Sequence, residues 1–176
     1  MRTSIKLLKR SIIYQGPIVR LIKEELMVGG KRITRETIQH PGAVVIVPLL
    51  PRNRVILVRQ YRRSVNQWLL ELPAGTLHPG EKPALCARRE LEEETGWRAK
   101  RLRRLCCFYA APGAMNERMT LFLAQDLIPG HSNLDHDEFL KVIVLPLKEA
   151  LRKIQTGTIR DAKTLIGLWW AQQVLG

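Results

Sequence analysis

The chain has 176 residues, of which 45% are apolar and 26% charged, and its formal net charge is +13. This length suffices for one well-buried domain and is short for two. No apolar run reaches the roughly eighteen residues of a membrane span, and basic residues interrupt the apolar ones near the N-terminus. We therefore expect a cytoplasmic protein with neither a membrane span nor a signal peptide.

The first forty residues predict a small antiparallel β layer ahead of the main fold. Short apolar and basic stretches alternate there, and Gly29-Gly30 marks a turn. We take residues 1–40 as an appended β subregion and a candidate dimerisation element, and residues 41–176 as the main domain.

Strands and helices alternate irregularly along the main domain. The β-branched runs Ala43–Leu50 and Arg54–Tyr61 predict a hairpin in the core of the sheet. Further strands are predicted at Leu69–Leu72, Leu105–Ala110, Met119–Ala124 and Leu140–Leu147, and helices at Pro83–Thr95, Leu147–Gln155 and Asp161–Leu175, the last with Asp161 as N-cap. This pattern favours an α+β fold, an α/β/α sandwich around a mixed central sheet.

The cysteines and the basic charge indicate no specialised site. Cys86, Cys106 and Cys107 are odd in number and lack CxxC spacing, so we expect small core residues. The charge suits nucleic acid, an anionic membrane surface or a polyanionic small substrate. Aromatic residues are not interleaved with the basic ones and no nucleic-acid-binding signature occurs, so we expect neither a nucleic-acid nor a membrane partner.

Three glutamates share one side of the predicted helix Pro83–Thr95. At about 100° per residue, Glu90, Glu93 and Glu94 face one patch, where their charges repel. A hard divalent cation such as Mg²⁺, which prefers oxygen ligands, turns that repulsion into binding. The plainer interpretation is a solvated acidic face, which an otherwise basic protein makes less attractive.

The same helix carries an opposite apolar stripe and a basic residue among the acids. Ala84, Ala87 and Leu91 are predicted to pack against the sheet, which turns the acids outward. Arg89 is predicted to pair with Glu93 or Glu81 and so to orient carboxylates rather than touch substrate.

The spacing of these residues resembles a family signature. Gly75 is followed by Glu81, then by Arg89-Glu90, Glu93-Glu94 and Gly96 in fixed register. All fixed positions of the Nudix box are present, so the chain resembles a Nudix hydrolase. The resemblance extends over nearly the whole chain and is most specific within the box.

The segment that leads into the box resembles the ADP-ribose pyrophosphatase branch of that family. Glu71-Leu72-Pro73-Ala74-Gly75 matches its ELPAG approach. The resemblance implies that the Ala74 carbonyl, Glu90 and Glu94 bind Mg²⁺, or alternatively Mn²⁺, and that Glu93 supports a further ion.

Other segments resemble substrate-binding parts of the branch. Val58-Arg59-Gln60-Tyr61-Arg62 implies that Arg62 grips a diphosphate, with Arg59 as a weaker candidate. The loop containing Glu117 implies a contact with the substrate's ribose, and Arg35 implies an arginine supplied by a partner subunit. For Arg35, ordinary surface charge is an equal alternative.

The general base is sought in the acidic segment Asp135-His136-Asp137-Glu138. In the family a loop glutamate binds metal or removes a proton from metal-held water, and Glu138 aligns best. His136 departs from the usual acidic pattern and is an alternative base, as is a glutamate of the box such as Glu93.

The resemblance implies Mg²⁺-dependent hydrolysis of a nucleoside diphosphate linked to another moiety, with ADP-ribose cleaved to AMP and ribose 5-phosphate as the leading case. It also implies a homodimer. Other substrates, such as a GDP-sugar, a dinucleotide or an oxidised nucleotide, stay open, because the box fixes only the diphosphate chemistry. An RNA-end-processing or nucleic-acid-binding module is a further alternative, which rests on the charge alone.

Overall fold

The N-terminal residues form the antiparallel sheet that their alternation predicts. A computed structural model of the chain describes residues 4–133 and 140–175. Its first three strands are β1 (Ile5–Gln15), β2 (Arg20–Val28) and β3 (Lys31–Gln39), paired in that order. Gly29 and Gly30 have φ values of 55° and 81°, which glycine adopts without strain, and they form the two-residue turn between β2 and β3.

This sheet belongs to a unit that includes a second stretch of sequence. The first unit contains the chain up to Gly42 together with Tyr109–Arg118, and the second contains Ala43–Phe108 and the chain from Met119 onward. Within the first unit, Ile38 N–H donates to the Ala114 carbonyl at 2.9 Å and Asn116 N–H donates to the Ile38 carbonyl at 3.1 Å. Each unit is therefore formed by two separate stretches of the sequence.

The second unit is built on a mixed sheet, as predicted. Its elements are β4 (Ala43–Leu50), β5 (Arg54–Arg62), β6 (Gln67–Glu71), β7 (Ala74–Thr76), α1 (Pro83–Thr95), β8 (Trp97–Tyr109), β9 (Arg118–Pro129), β10 (Leu140–Pro146), α2 (Leu147–Gln155) and α3 (Ala162–Leu175). Strand β4 pairs antiparallel with β5 and β7 and parallel with β9. The main strand order is β10-β5-β4-β9-β8, and β6 pairs with β5.

Alternate side chains of β4 pack into two different apolar layers. Val45 and Val47 pack with residues of α2 and α3, whereas Val44 and Ile46 pack with residues of α1. Successive side chains of a strand point to opposite faces, so the sheet lies between α1 and the other two helices. The predicted α/β/α sandwich is thereby confirmed. Within the described residues, no helix is long and apolar enough to cross a membrane.

The basic stretch after α1 was not predicted as a strand. Strand β8 begins at Trp97 rather than at Leu105, and its Arg and Lys side chains from 98 to 104 are exposed. Because β8 is the last strand on its side of the sheet, it tolerates such charges. Its small or apolar residues Ala99 and Leu102 pack with the layer beneath α1.

The cysteine prediction is correct in part. All three are free thiols. Cys86 is buried and burial raises its pKa to about 12, which keeps the thiol protonated. Cys106 is half-buried and Cys107 is exposed, so Cys107 is not the core residue that we expected. It lies on the edge strand β8, where alternate side chains face solvent.

Candidate active site

Helix α1 occupies the predicted residues, but its glutamates do not all face outward as predicted, because Glu94 is buried. Pro83 stands in its first turn, and Gly96 ends it with a φ of 71°, donating its N–H to the Glu92 carbonyl at 2.8 Å. Ala87 and Leu91 are buried as predicted. Ala84 is exposed, contrary to prediction, because the buried stripe lies further along the helix and begins at Cys86.

Arg89 joins the carboxylates of the helix to the loop before it. Its Nη1 donates to Glu90 Oε1 at 2.7 Å and to Glu93 Oε2 at 2.9 Å, and its Nε donates to Glu81 Oε1 at 3.0 Å. Glu93 and Glu81 were predicted as alternative partners; Arg89 binds both, and Glu90 as well. These ion pairs raise the pKa of Arg89, with the Glu81 hydrogen bond as the largest cause.

Both carboxylate oxygens of Glu81 accept hydrogen bonds from the Arg89 guanidinium. Arg89 Nη2 donates to Glu81 Oε2 at 3.0 Å, and His78 N–H donates to the same oxygen at 3.0 Å. The hydrogen bond from Arg89 lowers the pKa of Glu81 to about 2. Glu81 therefore stays ionised throughout the neutral range and fixes the loop that leads into α1.

The corner Ala74-Gly75 receives two glutamates of the helix. Ala74 N–H donates to Glu94 Oε2 at 3.2 Å, and Glu94 is only 3% exposed. A Cβ atom on Gly75 would lie 1.8 Å from Glu90 Cδ, so the Glu90 carboxyl group fills the space that a side chain would need. A side chain at position 75 would therefore displace the Glu90 carboxyl group.

Arg62 is anchored to a buried carboxylate. Its Nε and Nη2 donate to Glu71 Oε1 and Oε2 at 2.9 and 2.6 Å, and Lys163 Nζ also donates to Glu71. Burial opposes ionisation of Glu71, which is 1% exposed, but the two cations outweigh it and lower its pKa. Arg62 itself is partly exposed, with 36% of its side chain accessible.

Arg59 and Arg35 make contacts of a more superficial kind. The Arg59 guanidinium lies 5.0 Å from the centre of the Trp68 ring, a cation–π contact. Arg35, in β3, is exposed and donates from Nη1 to its neighbour's carbonyl, Thr34 O, at 3.0 Å. Their predicted roles in substrate binding stay predictions.

Glu117 lies beside His40 in the first unit. Glu117 Oε1 is 3.6 Å from His40 Nδ1, and that nitrogen also accepts a hydrogen bond from Gly42 N–H at 3.1 Å. Asn116 Oδ1 accepts from the His40 N–H at 2.8 Å. The loop of Glu117 is thus fixed to the end of β3, and the ribose contact that the resemblance implies stays a prediction.

The candidate bases Glu138 and His136 lie outside the described residues, but the chain that leads to them is placed. Gly130 N–H donates to the Gly96 carbonyl at 2.8 Å, and Ser132 Oγ and Asn133 N–H donate to the Glu93 carbonyl at 2.8 and 3.1 Å. The segment before residue 134 is therefore tied to the C-terminal end of α1.

The chemistry of the site suits a hard cation. Glu90, Glu94, Glu93 and the Ala74 carbonyl offer the oxygen ligands that Mg²⁺ prefers. In residues 4–133 and 140–175, no three His, Cys, Asp or Glu side chains are grouped as a metal site. Arg89 forms ion pairs with both Glu90 and Glu93. The donor types fit a divalent ion.

Sequence reasoning gave no role to the buried pair Glu71 and Lys163. Glu71 lies between Leu70 and Leu72, and Lys163 lies in the first turn of α3, shortly before the apolar residues Leu165 and Ile166. A charged residue inside an apolar run predicts a buried ion pair, and that signal was available.

The NUDIX domain model matches residues 39–166, so the chain belongs to the Nudix family, as the box had indicated.

The chain is similar to proteins that carry different names. The chain is 36% identical over 170 residues to the ADP-ribose pyrophosphatase of Bacillus subtilis (strain 168), covering 95% of this chain and 92% of the relative. Identity and coverage are the same for the methanol dehydrogenase activator of Bacillus methanolicus. A crystal structure of an ADP compounds hydrolase superposes with a TM-score of 0.86 at 25% identity, covering 97% of this chain and 94% of that one.

Proposed function

We propose that this protein hydrolyses ADP-ribose to AMP and ribose 5-phosphate with the help of Mg²⁺, for which Mn²⁺ can substitute. The observation that carries the proposal is the assembly of Glu90 and Glu94 on the corner Ala74-Gly75, inside a complete box. The relatives named ADP-ribose pyrophosphatase and ADP compounds hydrolase support the same substrate class.

Each residue of the site has a separate task in this reaction. Glu90, Glu94 and the Ala74 carbonyl would hold the metal, which would supply positive charge for the diphosphate and lower the pKa of the attacking water. Glu93 supports a further ion, and Arg89 keeps the carboxylates in register through its hydrogen bonds. Arg62 binds the diphosphate, and a carboxylate or imidazole of the 134–139 segment removes the proton of the attacking water.

The binding edge of Arg62 follows from its anchor. Glu71 occupies Nε and one hydrogen of Nη2, which leaves the opposite edge of the guanidinium, formed by Nη1 and the outer hydrogen of Nη2. A planar two-donor edge matches two phosphate oxygens, so the anchor orients Arg62 for a diphosphate.

A screen of product release tests the function. We expect ADP-ribose to yield AMP and ribose 5-phosphate faster than GDP-mannose, diadenosine polyphosphates, NADH or 8-oxo-dGTP are cleaved. Glu94→Gln should lower kcat by about 10²–10⁴, because it removes a charged group of the metal site. Glu92→Gln is the matched control, since Glu92 faces Arg98 and His131 N–H rather than the corner. Equal turnover of wild type and Glu94→Gln would refute the assignment.

The general base is resolved by comparing two variants of the 134–139 segment. We expect Glu138→Gln to lower kcat at saturating metal more than His136→Gln does. The opposite order would assign the proton transfer to His136, and unchanged kcat in both would assign it to the box, with Glu93 as the first candidate.

We also propose a homodimer formed through the N-terminal sheet, with Arg35 and Glu117 acting in the partner's site. Strand β1 exposes several large apolar side chains, namely Ile5, Leu7, Leu8, Ile12, Ile13 and Tyr14. Such a surface is typical of an interface. Light scattering at micromolar concentration should give twice the chain mass, and Ile12→Lys should lower it. A monomeric wild type would remove the partner roles of Arg35 and Glu117.

A further inference from the structure

A second charged cluster lies in the same unit as α1, at the start of α3, and the proposed reaction assigns no task to most of it. Lys163 is 8% exposed and donates to Glu71, and its Nζ lies 3.0 Å from Asp161 Oδ1. Two cations, Arg62 and Lys163, thus share one buried carboxylate. A buried charge that loses a partner is strongly destabilised, so Glu71 depends on both cations.

The cluster reaches the active site first through the backbone. Thr164 Oγ1 accepts the Leu72 N–H at 2.8 Å and donates to Asp161 Oδ2 at 2.6 Å. The next residue, Pro73, has its carbonyl held by Ile46 N–H at 2.9 Å, and Ala74 N–H is held by Glu94. The first turn of α3 therefore fixes Leu72, just after β6. The carbonyl of Ala74, two residues further on, is the proposed metal ligand.

The cluster reaches the active site a second time through Arg62. In the β5–β6 register, Glu71 lies opposite Val58, whereas Arg62 lies opposite Gln67. The Arg62 side chain must therefore extend back along β5 to reach Glu71, and it depends on that carboxylate for its direction. Lys163 holds Glu71 from another direction and so restricts where the carboxylate can move.

We propose that Lys163 and Thr164 are positioning residues of the reaction, with separable effects. Lys163 acts through Glu71 on the diphosphate-binding edge of Arg62, and Thr164 acts through Leu72 on the metal-binding carbonyl of Ala74. The inference rests on the proposed function. It assigns to α3, a helix outside the box, control of both substrate and metal affinity.

Kinetic separation tests the inference. Lys163→Met should raise KM for ADP-ribose about tenfold to a hundredfold, the effect of losing one charge-assisted hydrogen bond, and leave the metal concentration for half-activation within about twofold. Thr164→Val should raise the metal requirement about fivefold to tenfold and leave KM at saturating metal nearly unchanged. Lys163→Arg and Thr164→Ser should restore most of each loss.

The controls separate positioning from general damage. Lys153→Met removes a lysine that pairs at 3.6 Å with Glu149 on α2, and it should change neither parameter. In a Glu71→Gln background, Lys163→Met should add little to KM, because Lys163 acts through that carboxylate. If Lys163→Met alone fails to fold, the double variant replaces it in the test, because Glu71→Gln removes the buried carboxylate that would have lost its lysine partner.

A metal-binding measurement keeps the inference distinct from the proposed function. Mn²⁺ binding followed by electron paramagnetic resonance should be weaker in Thr164→Val than in wild type and unchanged in Lys163→Met. If wild type does not cleave ADP-ribose, the proposed function fails, whereas the Thr164 assignment is still decided by Mn²⁺ binding. Equal losses of kcat in both variants, with KM and metal affinity unchanged, would overturn the inference.

Discussion

The close contact between Gly75 and Glu90 allows a sharp test of the metal site. In Gly75→Ala the new Cβ would lie 1.8 Å from Glu90 Cδ, whereas ordinary contacts begin near 3.4 Å. The carboxyl group must therefore retreat by about 1.6 Å. A displacement of about 1 Å in a catalytic group can cost about 10² in rate, so we expect kcat to fall at least that far.

The assay compares this variant with a glycine substitution that causes no clash. Gly157 ends α2 with a φ of 71°, and a Cβ there would meet nothing within 4 Å. Gly157→Ala should cost about 1–2 kcal/mol of stability through backbone strain and leave kcat unchanged. Circular dichroism and thermal unfolding establish that both variants are folded before turnover is measured.

A double-mutant cycle shows whether the damage passes through Glu90. If it does, Gly75→Ala should have little further effect in a Glu90→Gln background, because the displaced group is already inactive. Additive losses would mean that Gly75 acts by another route, and near wild-type turnover of folded Gly75→Ala would refute the placement of Glu90 in the metal site.

Two further predictions concern stability. Glu81, whose pKa lies at about 2 in the folded protein against an ordinary 4.5, should stabilise the fold fully above about pH 4.5 and progressively less as the pH falls toward 2. The difference in unfolding free energy between wild type and Glu81→Gln should follow that course, and a difference independent of pH would contradict it. Gly167→Ala should lower the unfolding free energy by about 1–3 kcal/mol, since its Cβ would lie 2.3 Å from buried Leu72 Cδ1. An unchanged melting temperature would exclude this close packing.

Local signals predicted the elements, while the connections between distant residues depended on the fold. Helix α1 was predicted to the residue because Pro83 and Gly96 mark both ends. Strand β8 was predicted too short, because its basic residues do not show the apolar pattern of a strand. The strand tolerates these residues because it lies at the edge of the sheet. The link from Lys163 to Glu71 spans 92 residues, and no spacing rule reports such a contact.

The sequence predicted which residues form the candidate site better than it predicted the ion pairs among them. The helix spacing predicted that Arg89 would pair with Glu93 or Glu81, and Arg89 pairs with both. It did not predict that Glu90 would share the same nitrogen as Glu93, which depends on side-chain torsions rather than on spacing alone. The Gly75 contact likewise depends on how closely β7 approaches α1.

Arg89 organises the acids without neutralising them, and this explains how a folded site can await a cation. The oxygens of Glu90 and Glu93 that bind Arg89 Nη1 lie within about 5–6 Å of one another, because both are hydrogen-bonded to one atom. At an effective dielectric of about 20, two unit charges at that distance repel by about 3 kcal/mol. Arg89 carries one positive charge among the carboxylates of Glu81, Glu90, Glu93 and Glu94, and Arg62 adds its charge beside Glu94. In the proposed function a divalent ion would remove most of the remaining repulsion, and that relief would add to the affinity for the metal.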